Sequence, residues 1–366
     1  MKHVSTWQPL LASLAILMLT GCPQPSTPIA NDPDPSPTPT PPVLGNLRLE
    51  NDAMPLNSWR VGPPLPHERG GLSAGTFNGL IFAIGGDSEA TMDLLDPTAG
   101  RWRTYPLPPI GSDHTARARS FGATATAWNR VFYVGGTDDS VSDILDVFDP
   151  STQHWYNVTN PISYYSRFAR VSHALVALDD ELLVIGGMKE NGENQPMLTL
   201  DEVIAYRPAA TDNAADIYER PPLPEPRAGL GAARLGEHVY ALGGFLSAPA
   251  TGTAEATGSV LRYHANAWHT TTPSGQALAS LNVPRHSFGT AVLDGKLYVA
   301  GGIDSEGREL DSVEAYDPAT NLWTLKAPMP TPRAHLGLTA HDGRLYAIGG
   351  FDSAGMPLRS VHIFRP

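Results

Sequence analysis

The stretch that decides the fold runs from Arg285 to Arg333. Within it, Leu297-Tyr298-Val299-Ala300-Gly301-Gly302 is followed by Ser312-Val313-Glu314-Ala315-Tyr316-Asp317-Pro318, then by Trp323 and Met329-Pro330-Thr331-Pro332-Arg333. Working outward, Gly-Gly pairs stand at 85–86, 135–136, 186–187, 243–244, 301–302 and 349–350, spaced by 50, 51, 57, 58 and 48 residues. Sixteen positions before each pair is an arginine: Arg69, Arg119, Arg170, Arg227, Arg285 and Arg333. A fixed offset kept six times in a chain with 21 arginines marks six copies of one unit. Repeats of about fifty residues call for a radial or solenoid architecture.

Each unit reads as four strands. The first follows the arginine, as in Ser287 to Leu293, and ends in a tight turn. Asn78-Gly79, Asp294-Gly295 and Asp342-Gly343 suit a type I′ hairpin, whose central residues need positive φ. The second strand is nearly all apolar, so both of its faces must be covered. The Gly-Gly pair ends it, where a side chain would obstruct the turn or a neighbouring backbone. A polar loop leads to the third strand, closed by Asp-Pro, and a tryptophan five residues later marks the fourth. That step recurs at Pro97/Trp102, Pro150/Trp155 and Pro318/Trp323. Sheets this small must pack face to face around an axis.

These motifs closely resemble the Kelch family, over about Pro55 to Pro366. The resemblance implies an all-β, six-bladed β-propeller of four-stranded antiparallel blades. The chain ends at Ser360-Val361-His362-Ile363-Phe364-Arg365-Pro366, a third strand with no fourth behind it. Asn57-Ser58-Trp59-Arg60 has the look of the missing fourth strand, with Trp59 in the tryptophan position. It is expected to pair with the C-terminal blade and close the ring, removing a free sheet edge. Two units depart from the pattern. Unit 3 lacks the tryptophan, with Ile217 or Tyr218 in its place, and carries an insert around 208–216. Unit 4 has Tyr263-His264 instead of Asp-Pro, a loop from Ser247 to Gly258 and an insert from Thr270 to Asn282.

The first residues read differently. Leu10 to Leu19 is an apolar run too short for a mature membrane span and fits the core of a secretory signal. It ends in Leu19-Thr20-Gly21-Cys22, which resembles the bacterial lipobox and holds the chain's one cysteine. We therefore expect a lipoprotein signal peptide over 1–21, with Cys22 lipidated and anchoring the chain to a membrane of the bacterial cell envelope. The segment 22–54 reads as a linker, with nine prolines between Pro23 and Pro42. Polyproline geometry would let twenty such residues span roughly 60 Å. The propeller then occupies 55–366, and nothing in the pattern demands more than a monomer.

Composition narrows the chemistry. One cysteine excludes a disulfide scaffold and multi-cysteine metal sites. A net charge of −12 argues against nucleic acid as a partner. No HExxH occurs and the histidines are scattered, so neither metal nor cofactor is expected. Acidic turns such as Asp138-Asp139 and Asp304-Ser305-Glu306 lack the spaced ligands of a calcium loop. Gly71-Leu72-Ser73-Ala74-Gly75 matches the GxSxG pattern, but falls on a first strand without the strand-to-helix turn that motif requires.

The six arginines are expected to tie neighbouring blades through their five fixed donors, with Trp59, Trp102, Trp155, Trp268 and Trp323 as further repeat-structural residues. In propellers of the family, ligands usually dock on the face made by the loops that join the fourth strand to the next blade and the second strand to the third. Here that implies His67, Glu68, Arg117, Tyr164, Tyr165, Arg167, Phe168 and His286 as the candidate ligand face. Rigid aromatics beside an arginine are typical binding anchors. No catalytic residue stands out, so the expected role is a binding module for a protein or glycan partner. The alternative is a sugar isomerase resembling the periplasmic sialic-acid mutarotase of Kelch type, with His67, Glu68, Arg117 and His286 as the available acid–base groups.

Overall fold

The computed structural model describes residues 54–366 apart from 87–89, 108, 111–114, 117, 139, 158–167, 193–194, 209–214 and 248–253. The signal segment 1–21, Cys22 and nearly all of the linker lie outside the described residues, as do Arg117, Tyr164, Tyr165 and Arg167.

Six four-stranded antiparallel sheets follow one another along the chain. We name their strands a to d from the axis outward. In blade 1 they are Ser73–Phe77, Leu80–Ile84, Thr91–Asp96 and Arg101–Pro106. Blade 2 has Ala123–Ala127, Arg130–Val134, Leu145–Asp149 and His154–Asn157. Blade 3 has Ala174–Ala177, Leu182–Ile185, Val203–Arg207 and Asp216–Arg220. Blade 4 has Gly231–Leu235, His238–Leu242, Val260–His264 and Ala267–His269. Blade 5 has Gly289–Leu293, Lys296–Ala300, Val313–Asp317 and Leu322–Lys326. Blade 6 has Gly337–His341, Arg344–Ile348 and Val361–Arg365, and takes its strand d from Ser58–Val61 at the other end of the chain. Each strand a lies beside strand a of the blades before and after it, and blade 6 returns to blade 1.

The apolar pattern of strand b now has its cause. In blade 3, Leu182 and Val184 face a buried cluster shared with blade 2, while Leu183 and Ile185 face one shared with blade 4. Each of the six interfaces between neighbouring blades holds one such cluster. Strand b is therefore buried on both sides, and burying one leucine-sized side chain fully is worth about 1.5–3 kcal/mol. Strands a are built from small residues, as in Ala123-Thr124-Ala125-Thr126-Ala127, because six of them converge on the axis.

The ring closes as expected, through pairing of Ser58–Val61 with the C-terminal strand, and the register sets Trp59 opposite Phe364 and Val61 opposite His362. The Trp59 indole lies 4.9 Å from the Phe364 ring and donates its N–H to the Ala327 carbonyl of blade 5 (2.8 Å). Trp323 does the same to Ala279 (2.9 Å), Trp268 to Pro221 and Trp102 to Pro63 (both 3.0 Å), each reaching back to the segment entering its own blade. The residue two before each tryptophan has positive φ: Asn57, Gly100, Gln153, Asn266 and Asn321. In blade 3 the tryptophan position opposite Tyr206 is taken by Ile217, not Tyr218. Met54, at the end of the linker, is buried, and its carbonyl accepts a hydrogen bond from Arg365.

Candidate functional site

The arginines are the frame on which the loops between neighbouring blades rest. All six are buried to 2% exposure or less. Each Nη1 donates to the carbonyl of the first glycine of its own blade's Gly-Gly pair, at 2.8–3.3 Å. Each arginine's own carbonyl accepts the N–H of the second glycine of the preceding blade, at 2.7–3.0 Å. A Cβ on the first glycine would collide with that carbonyl in every blade. The fixed offset in sequence is thus the span of a two-blade tie: guanidinium to its own sheet, carbonyl to the sheet before.

Carboxylates back some of these cations. Asp93 pairs with Arg69, Asp146 with Arg119 and Glu314 with Arg285, all buried, while Glu202 pairs with Arg170 from a half-exposed position. Burial pushes the Arg170 guanidinium down to about 10 against the opposing pull of Glu202. The strand c position held by Asp93, Asp146 and Glu314 is Leu261 in blade 4, His362 in blade 6 and Ile204 in blade 3, where Glu202 comes instead from just before the strand. Arg333 donates to His362 Nδ1 at 2.9 Å, so that nitrogen is an unprotonated acceptor. Burial first, and the Arg333 charge second, hold His362 down at about 4.

Two residues beyond each arginine is a second ring. Gly71, Phe121, Ser172, Gly229, Ser287 and His335 all have φ between 52° and 68°. Each donates its N–H to the carbonyl of the equivalent residue in the preceding blade, at 2.7–3.0 Å, giving a closed circle of six backbone hydrogen bonds around the axis. With the residues that follow, this circle lines a central space of about 90 Å³. Above it, Phe121, Val171, Met188, Ala228, Phe245 and Phe351 form one buried cluster across the mouth of the channel. Gly70 is required there, since a Cβ would strike the Phe351 ring.

The candidate ligand face divides accordingly. His67 and Glu68 are exposed at the entry to blade 1. His286 is 5% exposed, edge-on to Phe245 at 5.2 Å and bonded through Nδ1 to the Ser287 hydroxyl. Burial depresses it to about 4, with Asp304 opposing, so it is neutral at physiological pH. Phe168 corrects an expectation: it is fully buried in the cluster between blades 2 and 3, 6.5 Å from the Tyr206 ring, and offers nothing to a ligand. The residues lost from view in sequence are those of the hydrogen-bonded circle. They share a backbone conformation but no residue type, so no motif reveals them.

Comparison with known proteins agrees with this architecture. The Kelch motif matches residues 284–330 and 332–366. Kelch-like protein 38 of Mus musculus is 26% identical over 201 residues, covering 52% of this chain and 30% of that protein. An F-box/kelch-repeat protein of Arabidopsis thaliana is 33% identical over 113 residues, covering 29% and 31%. Kelch repeat and BTB domain-containing protein 1 of Ectromelia virus is 29% identical over 150 residues, covering 41% and 24%. The chain spans under a third of the length of each of these relatives. The solved structure of YjhT superposes with a TM-score of 0.67 at 14% identity, covering 82% of this chain and 95% of that one, and shows the shared fold. Residues 284–366 carry Kelch motifs, and the ring to which they belong is a six-bladed, Kelch-type β-propeller.

Proposed function

We propose that the chain is an envelope-anchored binding module whose loop face docks a macromolecular partner, a protein or a glycan, without catalytic chemistry. The observation that carries this reading is the apolar plug over the channel mouth. A face whose centre is filled by buried Phe121, Phe245 and Phe351 offers a broad, loop-built surface on a rigid frame, the usual arrangement for recognition. His286, held neutral and turned into that plug, is poorly placed to exchange protons with a sugar. The anchor in this reading is Cys22, lipidated at the end of the signal segment.

Photo-crosslinking tests the docking face. A crosslinker at Glu68 should capture one defined partner in the envelope, and one at Asp294, on the opposite end of the blades, should not. Equal capture at both positions would count against the loop face. An NMR anomerisation assay on envelope sugars addresses the mutarotase alternative, which accelerated exchange would favour. Cys22→Ser should release the protein from the membrane fraction and abolish the mass increment of the lipid.

A further inference from the structure

The side of the ring opposite the plug carries the turns between strands a and b. There the turns between strands a and b of blades 1 and 2, with His341 of blade 6, surround a space of about 510 Å³. That volume falls within the range of about 300–1,000 Å³ common to small-molecule sites. Its polar lining includes Thr76, Asn78, Thr126 and Asn129, none of them charged. Of its aromatic lining residues, Phe77 is buried and Trp128 is exposed.

Trp128 breaks the rule of its own position. The first residue of this turn is Asn78 in blade 1, Asp294 in blade 5 and Asp342 in blade 6, all with φ of 46–48°. Asparagine and aspartate tolerate that left-handed conformation; a bulky aromatic rarely adopts it. Blade 2 nevertheless holds Trp128 at φ 46°, with Asn129 at 60°. The indole is fixed in place. Its N–H donates to the Asp179 carbonyl of blade 3 (3.0 Å), and its ring stands perpendicular to Phe132 at 5.5 Å. So anchored, it still leaves 36% of its surface exposed. Strained, well-held residues of this kind cluster at ligand sites.

We propose that this mouth is a carbohydrate site, in which an uncharged sugar ring stacks on Trp128 and its hydroxyls are met by Asn78, Asn129, Thr76, Thr126 and His341. The apolar face of a sugar suits an exposed indole, and neutral amides and hydroxyls suit its hydroxyls, whereas the lining supplies no fixed cation for an anionic ligand. The site goes beyond the binding module proposed above: it lies on the other face and stands whether or not the loop face docks a partner.

The test uses the folded chain with maltotetraose, cellotetraose and chitotetraose, and a sialylated oligosaccharide as the anionic control, read by saturation-transfer NMR and tryptophan fluorescence. One of the neutral tetrasaccharides should bind. Trp128→Asn should weaken it by tenfold or more, about 1.4 kcal/mol, while melting no lower than the parent, because asparagine is at ease in this turn. Should Trp128→Asn melt lower, His341→Ala decides, with a several-fold loss expected. The proposal is overturned by binding of none of the three, by binding of the anionic control alone, or by affinity unchanged in the deciding variant. Crosslinking at Glu68 is independent of all these outcomes, so failure here and failure of the loop-face reading are distinguishable.

Discussion

Blade 5 and blade 4 bury the same arginine in two different ways. Arg285 has Glu314 against it, with no exposure on either side chain, and Glu314 also accepts from the backbone of Asn282 and Val283. Arg227 has Leu261 in that position and, among the described residues, no carboxylate in salt-bridge range; Ser259 and the Gly243 carbonyl take its donors instead. The geometry is nevertheless the same in both blades. What every blade keeps is the Nη1 bond to its own glycine carbonyl, and the counter-charge is optional. This is the expected order of importance, since a buried ion pair gains little over its desolvation cost, while a fork of fixed donors specifies geometry.

Removing the cation should separate the two blades most. Arg285→Met leaves Glu314 charged and buried, a loss of about 3–5 kcal/mol. Arg227→Met strands no carboxylate and should cost only about 1–3 kcal/mol for its abandoned acceptors. Equal losses in urea unfolding would mean that the charge, not the orphaned partner, sets the cost. Next comes the tryptophan clamp that both blades share. Trp59→Ala removes it from the blade whose outer strand comes from the other end of the chain, and should cost about 3 kcal/mol; an unchanged melting temperature would sink the closure argument.

Blade 6 provides an intermediate case through pH. His362 is held at about 4 in the fold, below its unfolded value of about 6.5. Its stabilising contribution is therefore complete above about 6.5 and drains away as pH falls toward 4, by up to about 1.4 kcal/mol per pH unit. His362→Asp, which gives blade 6 the arrangement of blade 1, should make that part of the stability profile shallower, with the remainder left to buried His173, His286 and His335. A profile with the same slope in the variant would locate the sensitivity elsewhere. The smallest effect belongs to blade 3. Glu202 is 42% exposed and shared with Lys189, so Glu202→Gln should cost at most about 1 kcal/mol in the same unfolding assay.

Much of the frame was legible because it rests on residues that only one side chain can replace. Arginine at one offset, paired glycines under a neighbour's carbonyl, and Trp59 at the head of an orphan strand all leave letters in the sequence. Asn57-x-Trp59 even repeats Asn321-x-Trp323, with both asparagines at positive φ. The candidate site was less legible. Phe168 resembled a surface anchor because an aromatic beside an arginine reads alike whether it points to solvent or into a blade interface; only packing against Tyr206 settles it. Trp128 drew no notice because nothing in the residue itself marks it as standing where blades 1, 5 and 6 place Asn or Asp.

By itself, then, the sequence determined the number of blades, the four-strand unit, the seam of the ring and the need for glycine where backbones meet, because periodicity and sterics act residue by residue. Tertiary structure alone decided which residues meet around the axis. The circle of Gly71, Phe121, Ser172, Gly229, Ser287 and His335 forms only when six blades close, since each N–H finds its acceptor in the blade before. The pocket beside Trp128 likewise exists only where blade 6, from the far end of the chain, comes round beside blades 1 and 2.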